Sequence, residues 1–150
     1  IGEVRGGEAL DMIQAMTSGH AGSMSTLHAH TPMDAASRLE TLAMMSKLEM
    51  PLHALRAQIA SAIDAIVQMT RFTDGRRGVT QISEMLPLSD DGHYRMQDMY
   101  RYEVGDDGEG RLGRTGAHST FGDDPKMRVL RNQWDLTRDV FDPNKQEVPV

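Results

Sequence analysis

Two polar, glycine-flanked segments separated by one helix's length of chain constrain this sequence more than any other feature. Gly2-Glu3-Val4-Arg5-Gly6-Gly7-Glu8 comes first, and Gly19-His20-Ala21-Gly22-Ser23-Met24-Ser25-Thr26-Leu27-His28-Ala29-His30 follows. Ile1 to Val4 reads as the end of a short apolar strand, with Glu3 where that strand meets its loop. Gly6 and Gly7 allow the chain to turn without steric cost. Glu8 falls in the first turn of a helix, where a negative charge suits the macrodipole. Residues 8–18 carry Leu10, Ile13, Ala15 and Met16 at helical spacing, and Ser18-Gly19 signals the helix end. Ser23 to Leu27 is small and partly β-branched, as expected of a buried strand, with His28 at its carboxyl end. The pattern predicts a βαβ crossover that delivers Glu3 and His28 to the same sheet edge, where open α/β sheets bind ligands.

A carboxylate at that edge can hold a Mg²⁺-bound water or polarise the water that attacks a phosphate. A histidine beside it can hydrogen-bond a terminal phosphate. The bland alternative makes Glu3 a surface acid and Gly6-Gly7 an ordinary loop, since short motifs match by chance. Arg5 fits three roles: a catalytic group, a support of the Glu3 loop, or a member of a subunit interface. His20, His28 and His30 suggest a metal, yet a ligand set needs three or four members, and Asp34 is better explained as a helix-start acid. A serine hydrolase is excluded because Gly19-His20-Ala21-Gly22-Ser23 lacks the central serine of a nucleophile elbow.

The run from Gly2 to Pro32 resembles the secretion ATPases of the type II/type IV secretion superfamily, and within it the CpaF-type branch that drives Tad (Flp) pilus assembly. The similarity continues through Ala36-Ser37-Arg38-Leu39-Glu40-Thr41 and Gln58-Ile59-Ala60-Ser61-Ala62-Ile63-Asp64, holds to about Glu84 and fades after Glu103. The resemblance implies that Gly2-Glu3-Val4-Arg5-Gly6 is a Walker B element with Glu3 near water and metal, and that residues 19–29 are the histidine box with His28 sensing phosphate. It implies Glu3 and His28 as catalytic residues, Gly2, Glu3 and His28 as nucleotide-binding residues, and a Mg²⁺ reached from Glu3 through water. It further implies ATP as substrate, a homo-hexameric ring, inner-membrane pilus or secretion platform proteins as partners, and a cytoplasmic place at the bacterial inner membrane. The fold class it implies is α/β: the C-terminal part of a RecA-like P-loop domain, with parallel βα units followed by antiparallel hairpin strands.

The sequence departs from that family pattern in several respects. No G-x-x-x-x-G-K-[ST] run occurs, and Lys47, Lys126 and Lys145 follow no glycine loop. The backbone nest that cradles phosphates is therefore expected elsewhere. The family's acidic box and upstream arginines are also missing. A chain that opens inside a strand reads as a piece of a longer protein, inactive alone. A rival reading follows: a docking or oligomerisation module of a larger machine, in which Glu3 and His28 are bystanders.

Composition narrows the classes further. A chain of 150 residues suffices for a domain with a core. A net charge of −6 argues against a nucleic-acid surface, which needs a basic patch. The absence of cysteine removes disulfides and thiolate zinc sites. No apolar run is long enough to span a bilayer. Aromatics are sparse and methionines number 12, so a Met-filled aliphatic core is expected.

Downstream, Thr31-Pro32-Met33-Asp34 is a helix start, and that helix is predicted to run to about Leu48 with Ala35, Leu39, Leu42 and Met45 or Ser46 on one face. Pro51 opens another, with Leu52, Leu55, Ile59, Ile63 and Ile66 as its stripe. Arg56 and Gln58 lie off that stripe, while Arg38 and Glu40, two apart on a helix, cannot pair with each other. Strands are predicted at 66–72, 79–85 and 94–104, with turns at Asp74-Gly75 and Asp90-Asp91-Gly92. The division expected is 1–104 for the partial ATPase domain and 105–150 for a partly irregular extension. Within the extension, Arg111 to Thr115 forms a possible strand, Met127, Leu130 and Trp134 share a helix, and the last eight residues are loose.

Overall fold

The computed structural model describes residues 2–19, 22–47, 50–106 and 108–123. Three helices come first: α1 (Glu8–Thr17), α2 (Pro32–Ala43) and α3 (Leu52–Ala62). Four strands follow, β1 (Ala65–Arg71), β2 (Arg77–Leu86), β3 (Arg95–Val104) and β4 (Gly110–Arg114), and then a short 3₁₀ turn, Thr120–Asp123. The strands lie side by side in chain order as one four-stranded sheet. β3 and β4 are antiparallel, with Tyr102 opposite Leu112. The class is mixed α/β. None of the described helices is long and apolar enough to cross a membrane.

Upstream of the sheet, the expected parallel unit is reduced to a single bridge, Glu3 opposite Thr26, on either side of α1. The predicted burial of Ser23–Leu27 is not observed: Met24 is 89% exposed. One backbone bond, from Val4 N–H to Thr26 O at 2.9 Å, ties this pair. A longer parallel ladder generally needs cover on both faces, and here Ser23, Met24 and Thr26 are exposed while Leu27 packs against the core.

Each helix forms for a local reason. Thr31 caps α2 by accepting the Asp34 N–H at 3.1 Å, and Pro32 occupies the first turn. Pro51 precedes α3, and its carbonyl accepts from Ala54 and Leu55. The face α1 buries is Ala9, Leu10, Met12 and Ile13; Ala15, expected inside, is exposed. The face is broad because α1 packs on both α2 and α3. On α2 the buried positions are Pro32, Ala36, Leu39, Leu42 and Ala43, so the stripe runs through Ala36 rather than Ala35. That helix stops at Ala43, short of the predicted end. Met45 and Ser46 donate to carbonyls three residues back, which tightens and closes the last turn. Leu48 lies outside the described residues. On α3 only Leu55 and Ile59 are buried, since Ile63 turns extended as the C-cap and Ile66 belongs to β1. Leu52 is exposed.

The chain divides into two compact units, residues 1–68 with 83–97, and residues 69–82 with 98–150. In the first, Val4 joins Leu10, Ile13, Leu39, Leu42, Leu55 and Ile59 in one aliphatic cluster. A polar staple lies beside it. Glu40, off the stripe of α2, receives Arg56 Nε at 2.9 Å and the Tyr94 hydroxyl at 3.1 Å. Burial, reinforced by the Glu40 charge, pushes the Tyr94 phenol well above its usual range. Ser83 and Glu84 on β2 are fully buried, and Gln97 donates to Glu84 at 2.9 Å.

In the second unit, aromatic rings cover glycines. Phe72 lies over Gly78 and Tyr102 over Gly110, where a Cβ would overlap the ring. The two rings stand 5.1 Å apart. Gly75 and Gly92 take positive φ at the two expected turns. The predicted Met127–Trp134 helix and the last eight residues lie outside the described residues.

Ile59 is fully enclosed, so Ile59→Ala should lower the unfolding free energy by about 2–5 kcal/mol. Met24→Ala, at a site open to solvent, should change it by less than about 0.5 kcal/mol. Urea unfolding of both variants beside the parent measures the contrast.

Candidate functional site

Strand alternation positions Glu3. Val4 points into the core, and its neighbour Glu3 faces the other way. The backbone on both sides of Glu3 is held by one residue. Thr26 accepts the Val4 N–H through its carbonyl at 2.9 Å, and its hydroxyl donates to the Gly2 carbonyl at 2.6 Å. Gly2 itself is exposed, and a Cβ there would meet open space.

The loop after Glu3 is fixed from the helix it enters. Glu8 Oε1 accepts the N–H of Arg5 at 2.7 Å and of Gly6 at 3.0 Å. These backbone donors hold the Glu8 carboxyl below its ordinary value. Gly7 then passes so close to the turn after α2 that a Cβ would lie 3.1 Å from Ser46 Cα and N. The glycine is favoured by close approach, not by an unusual φ.

The structure brings Glu3, Arg5 and His28 together. Arg5 NH2 donates to Glu3 Oε2 at 2.7 Å, and His28 Nε2 stands 3.1 Å from Glu3 Oε1. The Glu3 side chain is 28% exposed and the imidazole 84% exposed. Oε1 is itself buried and makes no well-aligned hydrogen bond, although the imidazole nitrogen is within ion-pair distance. It therefore keeps acceptor capacity beside an open imidazole. The Arg5 hydrogen bond holds the Glu3 carboxyl below its ordinary value against the opposing effect of burial, with smaller help from the charges of Arg5 and His28. Glu3 is thus ionised at neutral pH and able to polarise a water.

Magnesium typically keeps several waters and takes one or two carboxylates together with substrate phosphates. A single carboxylate oxygen with spare acceptor capacity fits a water-mediated contact of that kind. Among the described residues no three His, Asp or Glu side chains gather as a metal set. His30 is exposed, and His20 lies outside the described residues.

Two contributors escaped the sequence reading. Thr26 lies two residues before His28 and braces Glu3. Gln68, on β1, donates its amide to the Ala29 carbonyl at 3.0 Å, next to His28. Its one sequence signal is a polar residue on the same side of the alternating strand as Ile66.

The sign of the pH effect follows from the depressed Glu3 carboxyl. Its contribution to stability is present above the unfolded-state value and is lost as pH falls through the folded-state value, in the acid range below about 4.3. Carboxyl NMR titration should place Glu3 below that ordinary value, and Arg5→Ala should bring it up again. An unmoved Glu3 titration in Arg5→Ala would remove Arg5 from the pair. Separately, Gly7→Ala should destabilise the protein by about 1–3 kcal/mol, read from the urea midpoint, because backbone must move to admit the methyl group.

With this geometry in view, the likeness to known proteins is specific. The sequence profile of the family described as type II/IV secretion system protein matches residues 1–121. A putative conjugal transfer protein of Mycobacterium tuberculosis is 35% identical over 83 residues, 55% of this chain and 23% of its own length. The type IV secretion system protein PtlH of Bordetella pertussis is 41% identical over 73 residues, 47% of this chain and 22% of its own. The crystal structure of the VirB11 ATPase from the Brucella suis type IV secretion system, in complex with sulphate, superposes with a TM-score of 0.52 at 28% identity. That superposition covers 55% of this chain and 26% of the VirB11 chain. The chain thus spans roughly a quarter of the length of these relatives. Because the profile runs through the Glu3–His28 site and on into β4, the chain belongs to the type II/IV secretion system protein family.

Proposed function

We propose that this chain is the catalytic back half of a RecA-like motor ATPase that powers type IV (Tad) pilus assembly or type II/IV secretion. The observation that carries the reading is the 3.1 Å approach of His28 Nε2 to Glu3 Oε1 at the carboxyl ends of two parallel-paired segments. In this reading Gly2–Gly6 is the Walker B element and residues 19–29 the histidine box. Residues 1–104 belong to the ATPase domain and 105–150 form an extension. The parent protein assembles as a homo-hexamer at the cytoplasmic face of a bacterial inner membrane, where it acts on platform proteins of the pilus or secretion machine. The VirB11 likeness and the family profile support this assignment.

The chemistry asked of these residues is modest. Phosphoryl transfer depends on positioning and electrostatics more than on covalent steps. Glu3, kept ionised by Arg5, orients the attacking water and takes up its developing proton through Oε1. His28, exposed beside it, contacts the γ-phosphate and responds to its departure. Gly2, with no side chain, leaves room for the nucleotide at the same edge. A bound Mg²⁺ would supply charge neutralisation of the phosphates, held toward Glu3 through water. The phosphate-loop half of the site comes from sequence outside this chain.

A second reading has its own observation. Met24 stands almost fully exposed on a segment that bridges to Glu3 through Thr26, as expected of a docking or oligomerisation module. Mg²⁺-dependent ATP turnover of the longer gene product that contains this chain separates the two. Glu3→Gln should reduce turnover by at least about 100-fold while nucleotide binding persists, a typical cost for losing a general base. His28→Ala should slow it about 10-fold, equivalent to one lost transition-state contact. Turnover unaffected by Glu3→Gln would favour the docking module.

A further inference from the structure

His28 lies in a short span between two fixed points. Thr26 is paired to the Glu3 strand, and Thr31 caps α2. Between them the imidazole is 84% exposed, so packing does little to orient it. Leu27 in this span packs against the aliphatic cluster, and Gln68 reaches the span from β1, its Nε2 donating to the Ala29 carbonyl at 3.0 Å across 39 residues of sequence. Gln68 is half-buried on the side of β1 it shares with Ile66, while Val67 and Met69 are exposed. A strand holds a side chain's origin more rigidly than a loop does, which suits it to second-layer support.

We propose that Gln68 is the positioning residue of the His28 loop: its amide pins the Ala29 carbonyl and so fixes the imidazole at Glu3. The proposal rests on the ATPase reading and extends it to a residue on β1. The pinned carbonyl belongs to the Ala29–His30 peptide unit, one residue beyond His28, so releasing it loosens the short backbone span that carries the ring. Glu3 is braced independently by Thr26, so the Gln68–Ala29 bond acts on the site through the His28 span. Substrate affinity is then largely spared, and the loss falls on the transition state.

The test uses the longer gene product that contains this chain. Gln68→Met keeps length and volume but removes the donor. It should lower kcat about 10-fold, equal to about 1.4 kcal/mol, with KM for ATP changed by less than about twofold. In a His28→Ala background the same substitution should cost less than about twofold more, because the group it positions is gone. Gln68→Asn, which withdraws the amide by one methylene, should match Gln68→Met and serves if the latter fails to fold. Thermal unfolding is followed for every variant. A Gln68 effect that multiplies in full through the His28→Ala background would overturn the proposal, and so would wild-type kcat in Gln68→Met or Gln68→Asn. Glu3→Gln, assayed alongside, separates the two levels. If it abolishes turnover while the Gln68 effect is independent of His28, only the positioning role fails. If it leaves turnover intact, the ATPase reading fails and the positioning role with it.

Discussion

The parallel contact between residues 2–4 and Thr26 is the constraint on which the site depends. Side chains alternate along an extended segment, so burying Val4 turns Glu3 to the opposite side. A slip of one residue would put the carboxylate into the aliphatic cluster and Val4 into water. Thr26 fixes the register with two bonds of different kinds, a backbone acceptor and a hydroxyl donor. Because the pairing is parallel, both segments emerge at the same end, and the residues that follow them meet there. Glu3 and His28 are close for that topological reason, with α1 as the crossover that makes parallel pairing possible.

The helices hold that contact in place. α1 buries a broad face because α2 and α3 both lie on it, and the cluster reaches Val4 itself. The loop between Glu3 and α1 has little freedom: Glu8 holds two of its N–H groups, and Gly7 runs against the backbone of Ser46. On α2, Glu40 faces away from the apolar stripe and gathers Arg56 from α3 and Tyr94 from the segment before β3. A partly buried carboxylate of this kind needs both partners, since removing either would leave buried polar atoms unpaired.

Electrostatics then separates two acids that look alike in sequence. Glu3 and Glu8 are both held below their ordinary range, but for different reasons. Backbone N–H groups depress Glu8, which serves the local turn. A guanidinium depresses Glu3, and its second oxygen is left beside an exposed imidazole. Of the two, Glu3 therefore combines a secured charge with an acceptor oxygen beside an exposed imidazole. Arg5, for which the sequence allowed three roles, has its guanidinium on the Glu3 carboxylate.

By itself the sequence determined the features with local causes. The Thr31 cap, Pro32, the turn glycines Gly75 and Gly92, and the alternation along β1 are written within a few residues of where they act. The meeting of Glu3 and His28 was also legible, because strand–helix–strand order and crossover geometry leave few alternatives. Tertiary structure decided the rest. The early end of α2, the choice of Ala36 over Ala35, and the exposure of Met24 depend on which neighbours cover each surface. The Glu40–Arg56–Tyr94 staple and the Gln68–Ala29 bond join residues far apart in the chain. No short-range pattern marks such pairs, because a hydrogen bond acts over about 3 Å and depends on where the folded backbone brings its two ends.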